Sequence, residues 1–571
     1  MKFGDHLINA FRQLDRAVRV RGLGHTLSLA LRVVVTEGPA GVKRRLDALG
    51  PALRAAKPKG TGSVLILTMP HVLHFGRRLQ SVLAEAGIHA ELSDNDRAAR
   101  DFDTVFAFAL QNFPATPPDR TIAFQVEQSV LQHRWTPDYL EKLGKCRAVF
   151  EYSRINIAAL QGHVSTRNLF HVPFAPPRMS EPQTSQRPTR VLFYGDTTPE
   201  RRARLLSQIR ETVPELEVET NLFGPGMDTR LDQTAIVVNL HSEAGGLLEV
   251  ARISEAMSHG CVVVSETAPD MAEAPDLADR IAFVTEGDAA QLSMALRRLL
   301  DDDDALQAQR AAAFAPAPDV FRLGVLRALL GLDMIEPDLF ETLAADYPSP
   351  VAAGPDMPRT CLTLPETPLR ADAFRRHNPD GYLLWPGLKA NPGWRGAALS
   401  YRHIMRRLRS HGIDEALIVE DDVILPPDFD AKLDTVRTYM DECDADLFSG
   451  LIVDLHKDAR VLGVERRDGL VLVQLDRAVM MICNLYRRRM IDHLAEWDDR
   501  DSNAFTNTID RYMEAATHLR VVTTLPFMVD YGASLQSTLR DADNHKFDAL
   551  RARSEAMLAE KVTAFEAGTH D

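Results

Sequence analysis

Between Ser63 and Glu266 short apolar runs alternate with amphipathic segments, and that alternation admits few folds. Val64–Thr68, Ala90–Ser93, Thr104–Leu110 and Thr121–Gln125 read as strands, with a helix over Gly76–Ala86. After a polar, proline-containing stretch, Pro173–Pro188, a second set opens. Arg190–Tyr194 is a strand ending at Gly195, Pro199–Thr212 a helix, Ile236–Leu240 a strand, Leu248–Ser258 a helix and Cys261–Ser265 a strand. Repeated strand–helix units imply parallel sheets covered by helices, so two Rossmann-like halves in tandem are expected. Asp301–Asp304 and the Ala/Pro-rich Ala311–Pro318 mark the decline of this part, and Tyr347–Pro358 is a linker by composition. A third α/β unit begins near Arg359. The boundaries expected are an arm at 1–60, halves at 61–180 and 181–345, a third unit at 359–545 and a helical tail at 546–571.

Residues 1–60 have helical spacing, with Phe3, Leu7, Ile8, Phe11 and Leu14 on one face, and carry 12 Lys+Arg against 4 Asp+Glu. They read as a basic packing arm or linker, with peripheral contact to an anionic membrane surface as the second reading. The whole chain has a net charge of −14, so the remainder is strongly acidic, which argues against general nucleic-acid binding. No apolar run approaches the ~18 residues needed to span a bilayer, and the start lacks a secretory pattern, so a cytoplasmic location is expected. Five cysteines at irregular spacing give neither a zinc pattern nor a disulfide framework.

The run Ala416–Leu425 places Glu420, Asp421 and Asp422 between Leu417-Ile-Val419 and Val423-Ile-Leu425. Acidic side chains are rarely buried unless paired or coordinating, so a strand delivering oxygen ligands to a cleft is one reading. A strand that ends at Val419, with solvated acids in a turn closed by Pro426-Pro427, is the other. Upstream, Gly393-Trp-Arg-Gly396-Ala-Ala-Leu-Ser400-Tyr401 leads a basic helix to Ser410, and Pro427-Asp428-Phe429 follows the triplet.

In this order and spacing, residues 359–540 resemble glycosyltransferase family 25, the lipopolysaccharide galactosyltransferases and their collagen-modifying relatives. Where that family has Cys and His, this chain has Ala397 and Tyr401. The resemblance implies a GT-A-like domain in which Glu420, Asp421 and Asp422 hold a divalent metal, Mn2+ or Mg2+, that stabilises the departing phosphate. Strand alternation sends neighbouring side chains to opposite faces, so two of the three are expected to reach the cation. Asp510 is the candidate catalytic base, with a helix-capping Asp as its alternative. Arg370 and Ser400 are candidates for nucleotide binding.

Leu247-Leu-Glu249-Val-Ala-Arg252-Ile-Ser-Glu255 through Gly260 to Ser265-Glu266 resembles the donor-binding segment of GT-B glycosyltransferases, in the group-1 and spore-coat-like branch. The usual pair of glutamates eight residues apart is missing, since Leu247 stands eight before Glu255. The resemblance implies donor-binding roles for Glu249, Arg252, Glu255 and Glu266, with Gly195 and His241 placed to approach phosphates, and no cofactor in this module. For Arg252 and Glu255 an ion pair along one helix is the competing reading. His71, His74 and Glu127 are available as bases. Together the expectation is an α/β chain, two Rossmann-like domains of a GT-B module followed by a GT-A-like domain and preceded by a helical arm. Such a chain would transfer sugars from nucleotide-sugar donors, a UDP-sugar first among them, to a glycan or lipid-linked glycan acceptor of a bacterial surface polysaccharide.

Overall fold

The computed structural model describes residues 62–176, 187–315, 317–345, 357–378, 381–532, 536–537, 542–543 and 548–568. The basic arm and most of the linker lie outside the described residues.

The first sheet is six-stranded: β1 (Val64–Leu67), β2 (Ala90–Ser93), β3 (Thr104–Phe108), β4 (Thr121–Gln125), β5 (Ala148–Glu151) and β6 (Leu169–His171). Every pairing is parallel, in the order β2-β1-β3-β4-β5-β6. The second sheet contains β7 (Thr189–Tyr194), β8 (Leu216–Glu219), β9 (Thr234–Asn239), β10 (Val262–Glu266) and β11 (Ala282–Val284), again all parallel, ordered β11-β10-β9-β7-β8. In each sheet the first strand lies between the second and the third, so the chain reverses its direction of winding there. Ligand crevices in open parallel sheets form at this reversal, outside the carboxyl ends of the strands. The central strands are buried along their whole length, which is why they read as continuous apolar runs.

The helix at Val320–Gly331 returns to the first sheet. Nine of its twelve residues are buried, as expected of a helix covered on nearly every side. Phe321 packs against Phe75 and Phe174, and Arg78 pairs with Asp319 at 2.8 Å. Gly324 allows close approach: a Cβ there would stand 3.1 Å from the Val172 backbone.

The third unit is an eight-stranded mixed sheet. Its strands are β12 (Arg359–Thr363), β13 (Leu383–Pro386), β14 (Glu415–Glu420), β16 (Leu447–Ser449), β17 (Val461–Arg467), β18 (Leu470–Leu475), β19 (Cys483–Arg487) and β20 (Val521–Thr524), with β15 (Val423–Ile424) pairing separately to β21 (Asp530–Tyr531). The order is β13-β12-β14-β19-β16-β20-β18-β17, with β13, β12 and β14 parallel. The tail forms a helix, Asp548–Glu566, that buries Ser554, Leu558 and Val562.

Buried polar contacts join this unit to the first two. Arg327 reaches Glu366 with both ends of its fork, at 2.5 and 2.8 Å, and its Nε donates to the Gly387 carbonyl at 2.7 Å. Glu366 also accepts the His171 amide at 2.8 Å. The basic helix Gly393–Ser410 is a second seam: Arg395 meets Asp333, while Arg402 and Arg406 meet Glu341, so these arginines serve contacts between units. Arg327 and Glu366 are 2% and 1% exposed, so removing one partner leaves a buried, uncompensated charge. Arg327→Met is expected to lose about 3–5 kcal/mol of stability, measured by urea unfolding of the full chain.

Candidate functional site

In the second sheet, β7 turns out of the sheet at Gly195, whose φ is +134°. A Cβ there would lie 3.1 Å from Arg252 Nη2, so glycine is required both by the backbone and by the guanidinium laid against it. Arg252 donates to Asn239 Oδ1 at 3.0 Å and lies over the Phe193 ring, at 5.7 Å from its centroid. His241 follows β9 and is fully buried. Its Nδ1 is 2.8 Å from Glu249 Oε2 and its Nε2 3.1 Å from the Thr267 carbonyl. Burial works against a charged imidazole, but the Glu249 carboxylate outweighs it and raises the His241 pKa. Burial likewise works to raise Glu249, yet His241, Arg252 and Arg202 hold it below its ordinary value.

Gly195, His241, Glu249 and Arg252 therefore meet at the carboxyl edge of β7 and β9, at the winding reversal. The reading of Arg252 and Glu255 as an ion pair along one helix does not describe the contacts made. Arg252 turns to Asn239, whereas Glu255 accepts the Tyr194 hydroxyl at 3.1 Å and lies 3.4 Å from His74 Nδ1 of the first unit. Burial lifts Glu255 to about 7.

Glu266, expected at the donor, is engaged within the fold. It is fully buried, its carboxylate is forked by Arg201, and it accepts the amides of His241 and Gly287, each at 2.7 Å. Its oxygens are committed to holding two loops together. Arg201, Arg202 and Asn239 are members of this network that the sequence reading missed; the Pro199-Glu-Arg-Arg run one turn after Gly195 was the available signal. Among the candidate bases, His74 is half-buried, and its pKa falls to about 3 through desolvation and nearby Arg78, so it stays neutral and accepts a proton poorly. Glu127 accepts Gln111 Nε2 at 2.6 Å.

The cleft between the first two units is bridged. Gln128 donates to the Leu247 carbonyl at 2.9 Å and accepts its amide at 2.8 Å. Glu273 takes the amides of Arg154 and Ile155 at 2.7 and 3.0 Å, satisfying the start of the helix Arg154–Leu160.

In the third unit the acid triplet closes β14, and Leu362 of β12 stands in register with Glu420. Asp421 is buried: Oδ2 accepts the Thr363 hydroxyl at 2.6 Å and Oδ1 accepts Arg370 Nε at 2.8 Å. Arg370 Nη2 also lies 3.2 Å from Asp422 Oδ2. Burial disfavours that guanidinium's charge, but Asp421 and Asp422 overcome it and raise its pKa. Arg370 was expected to meet a nucleotide; here it fills the space between two carboxylates expected to meet a cation. Among the described residues no group of three or more His, Cys, Asp or Glu side chains is placed to hold a metal ion. As arranged, Glu420, Asp421 and Asp422 do not fit a three-carboxylate cage, because Thr363 and Arg370 already engage Asp421.

Glu420 faces the Tyr401 hydroxyl at 3.5 Å, and that hydroxyl donates to the Met481 carbonyl at 2.9 Å. Burial raises Glu420 to about 8, with Asp422 and Asp421 adding to the shift and Asp510 near enough to add more. Asp510 lies in the first turn of the helix Ile509–Glu514, where its Oδ1 accepts the Arg511 amide at 2.9 Å. Ser400, expected at the nucleotide, is buried in its helix, and its hydroxyl accepts the Leu388 amide and donates to the Gly396 carbonyl, each at 2.8 Å. That leaves it tying a loop to the helix.

The chain thus comprises two parallel Rossmann-like sheets and a further mixed α/β unit. No family model matches it, and no curated protein matches it. Among solved structures it is similar to TarM, with 11% identity and a TM-score of 0.30 over 40% of this chain and 54% of TarM. It is also similar to Anabaena Alr3699/HepE in complex with UDP and glucose, with 12% identity and a TM-score of 0.34 over 44% of this chain and 94% of HepE. For WaaG, a glycosyltransferase involved in lipopolysaccharide biosynthesis, the values are 12% and 0.33 over 47% of this chain and 98% of WaaG. The chain spans about half the length of TarM. No described helix is long and apolar enough to cross a membrane.

A carboxyl whose pKa is raised on folding binds its proton more tightly in the folded chain than in the unfolded one. Glu420's contribution is therefore fully present below its ordinary value of 4.5 and is lost as pH rises to about 8. Glu420→Gln is expected to gain stability relative to wild type as pH goes from 5 to 8, read as a widening Tm difference. A difference constant with pH would contradict this.

Proposed function

We propose that this protein is a glycosyltransferase that uses nucleotide-sugar donors, a UDP-sugar first among them, at two centres. It would add sugars to a bacterial surface glycan such as lipopolysaccharide or another polysaccharide. The observation that carries the reading is the meeting of Gly195, His241, Glu249 and Arg252 at the winding reversal of a parallel sheet. A nucleotide diphosphate laid across the carboxyl ends of β7 and β9 would meet the Arg252 guanidinium where Gly195 leaves room for it. Donors aimed at the departing diphosphate stabilise the charge it gains as the sugar–oxygen bond breaks.

At the second centre, Asp510 would take the proton of an acceptor hydroxyl as that oxygen attacks the sugar's anomeric carbon, while the nucleotide diphosphate leaves. Arg370, held by Asp421 and Asp422, would supply positive charge at that edge. A Mn2+ or Mg2+ ion there is part of the proposal through the family-25 resemblance; with Asp421 engaged by Thr363 and Arg370, Asp422 would hold it with Glu420 beside it, once Arg370 gives up Asp422. The acceptor, a glycan or lipid-linked glycan, would be kept near an anionic membrane by the basic residues of 1–60.

A second reading, one catalytic module with the other a binding or scaffold unit, is favoured by Leu247. It stands where the group-1 pattern has a glutamate, and its backbone is clamped across the cleft by Gln128.

The test is a thermal-shift screen of the full chain with UDP, GDP, CMP and their sugars, with and without Mn2+, followed by transfer assays on the stabilising donors. Arg252→Ala is expected to weaken UDP binding by roughly tenfold or more, since a hydrogen bond to a charged group is removed. Asp510→Asn is expected to abolish one transfer and spare the other. Loss of every transfer in one variant, with none lost in the other, would establish the one-module reading. No turnover of any donor would reject both.

A further inference from the structure

Of the tyrosines in the first two units, Tyr139 bonds through its hydroxyl to Gln125 Oε1 at 3.3 Å, and Tyr194 to the Arg252 carbonyl at 3.0 Å. Tyr152 differs. It is only 9% exposed, yet among the described residues its hydroxyl has no hydrogen-bond partner. Buried phenols usually find one. The rest of the residue is held in place: its ring stacks on Phe174, with centroids 5.4 Å apart and planes 16° apart, and its carbonyl lies 3.1 Å from His171 Nε2.

Tyr152 directly follows β5, at the carboxyl edge of the first sheet, and the contacts around it set that edge against the donor-side network of the second unit. Two residues on, the Arg154 amide bonds to Glu273; Asp270, one turn before Glu273, accepts the Leu248 amide at 2.9 Å. Glu249 comes next and is bonded to His241. The charges that act most on the phenol agree with this position, since Glu151 and Glu127 belong to its own unit and Asp270 and Glu249 to the facing one. Burial first, and then these carboxylates, hold its proton well above the usual phenol range, so the hydroxyl stays able to donate. A diphosphate among four carboxylates would meet like charge. A neutral sugar hydroxyl can donate to a carboxylate and accept from the phenol.

We propose that Tyr152 is a sugar-binding residue of the first centre, contributed by the first unit, whose hydroxyl bonds a hydroxyl of a sugar held in the cleft opposite Glu249 and leaves the nucleotide diphosphate to Arg252. The assignment rests on the reading of that centre as a nucleotide-sugar site.

Tyr152→Phe removes the hydroxyl alone. In the full chain, each nucleotide sugar that stabilises the wild type is titrated beside its free nucleotide, and the acceptor KM is measured for the transfers that sugar supports. A loss of roughly three- to tenfold is expected in nucleotide-sugar affinity or in acceptor KM, the worth of one neutral hydrogen bond, with free-nucleotide affinity and the Tm of the unliganded chain unchanged. Weaker nucleotide-sugar binding puts the hydroxyl on the donor's sugar, and a raised acceptor KM alone puts it on the acceptor's; either supports the assignment. Equal weakening of nucleotide sugar and free nucleotide, no change in affinity or KM, or a lowered Tm would overturn the assignment of Tyr152 alone. If Arg252→Ala leaves nucleotide binding intact, the reading of the centre falls, and the assignment with it.

Discussion

The arrangement of the molecule depends on one buried ion pair. Arg327 comes from a helix that belongs in sequence to the second unit and in space to the first, and its partner Glu366 follows β12 of the third. Through Glu366 and Gly387 it grips the carboxyl ends of β12 and β13, while the same Glu366 satisfies the amide that ends β6. Taking two charges out of water is costly, and the cost is offset only when geometry is good and the remaining donors and acceptors are bonded. A planar guanidinium meeting a carboxylate with both ends fulfils that, and the Gly387 carbonyl and His171 amide take up further capacity. The pair also sets the position of the candidate centre beyond it, because Glu366 lies four residues before Arg370 and two before its helix, Pro368–His377.

The two candidate centres use the same architectural position and opposite electrostatic logic. Each lies at the carboxyl edge of parallel strands, where chain reversal leaves a crevice between neighbouring connections. In the second sheet, acids and bases are matched, with His241 and Glu249 stabilising each other's charge and Arg201 neutralising Glu266. In the third unit, acids crowd together, and Glu420 is driven toward its neutral form by burial and by the neighbouring Asp422 and Asp421. A matched network holds its shape with little response to pH. A crowded one responds to any cation, proton or hydrogen-bond donor brought to it.

Much of this was readable along the chain. Strands buried on both faces announce themselves as apolar runs, and β1, β3, β4, β7, β9 and β10 were found that way. In the first two sheets four short strands were missed. β8 and β11 are sheet edges of four and three residues, with half-buried positions that blur the apolar pattern. β5 and β6, of four and three residues, are too brief for periodicity to register. The residues expected at the first centre came from one contiguous segment plus two strand ends, and most of them do converge. Ser400 and Glu266 are both engaged within the fold, and for a common reason: a polar side chain next to a functional motif serves the protein's own backbone as readily as a ligand, and its sequence context is the same in both cases.

Apolar periodicity and the placing of acids at a strand's end are short-range properties, so the chain carried its layered α/β form and its two candidate centres openly. Charge partnership is long-range. Arg370 is 51 residues from Asp421, and Arg201 is 65 from Glu266. Nothing local says that a guanidinium will occupy the space between two carboxylates, that a glutamate will be sealed behind a loop, or that a cleft will be bridged by Gln128. Those outcomes arise when separate strands and helices close around one another, because burial then requires each charge to have a partner and the fold selects which one.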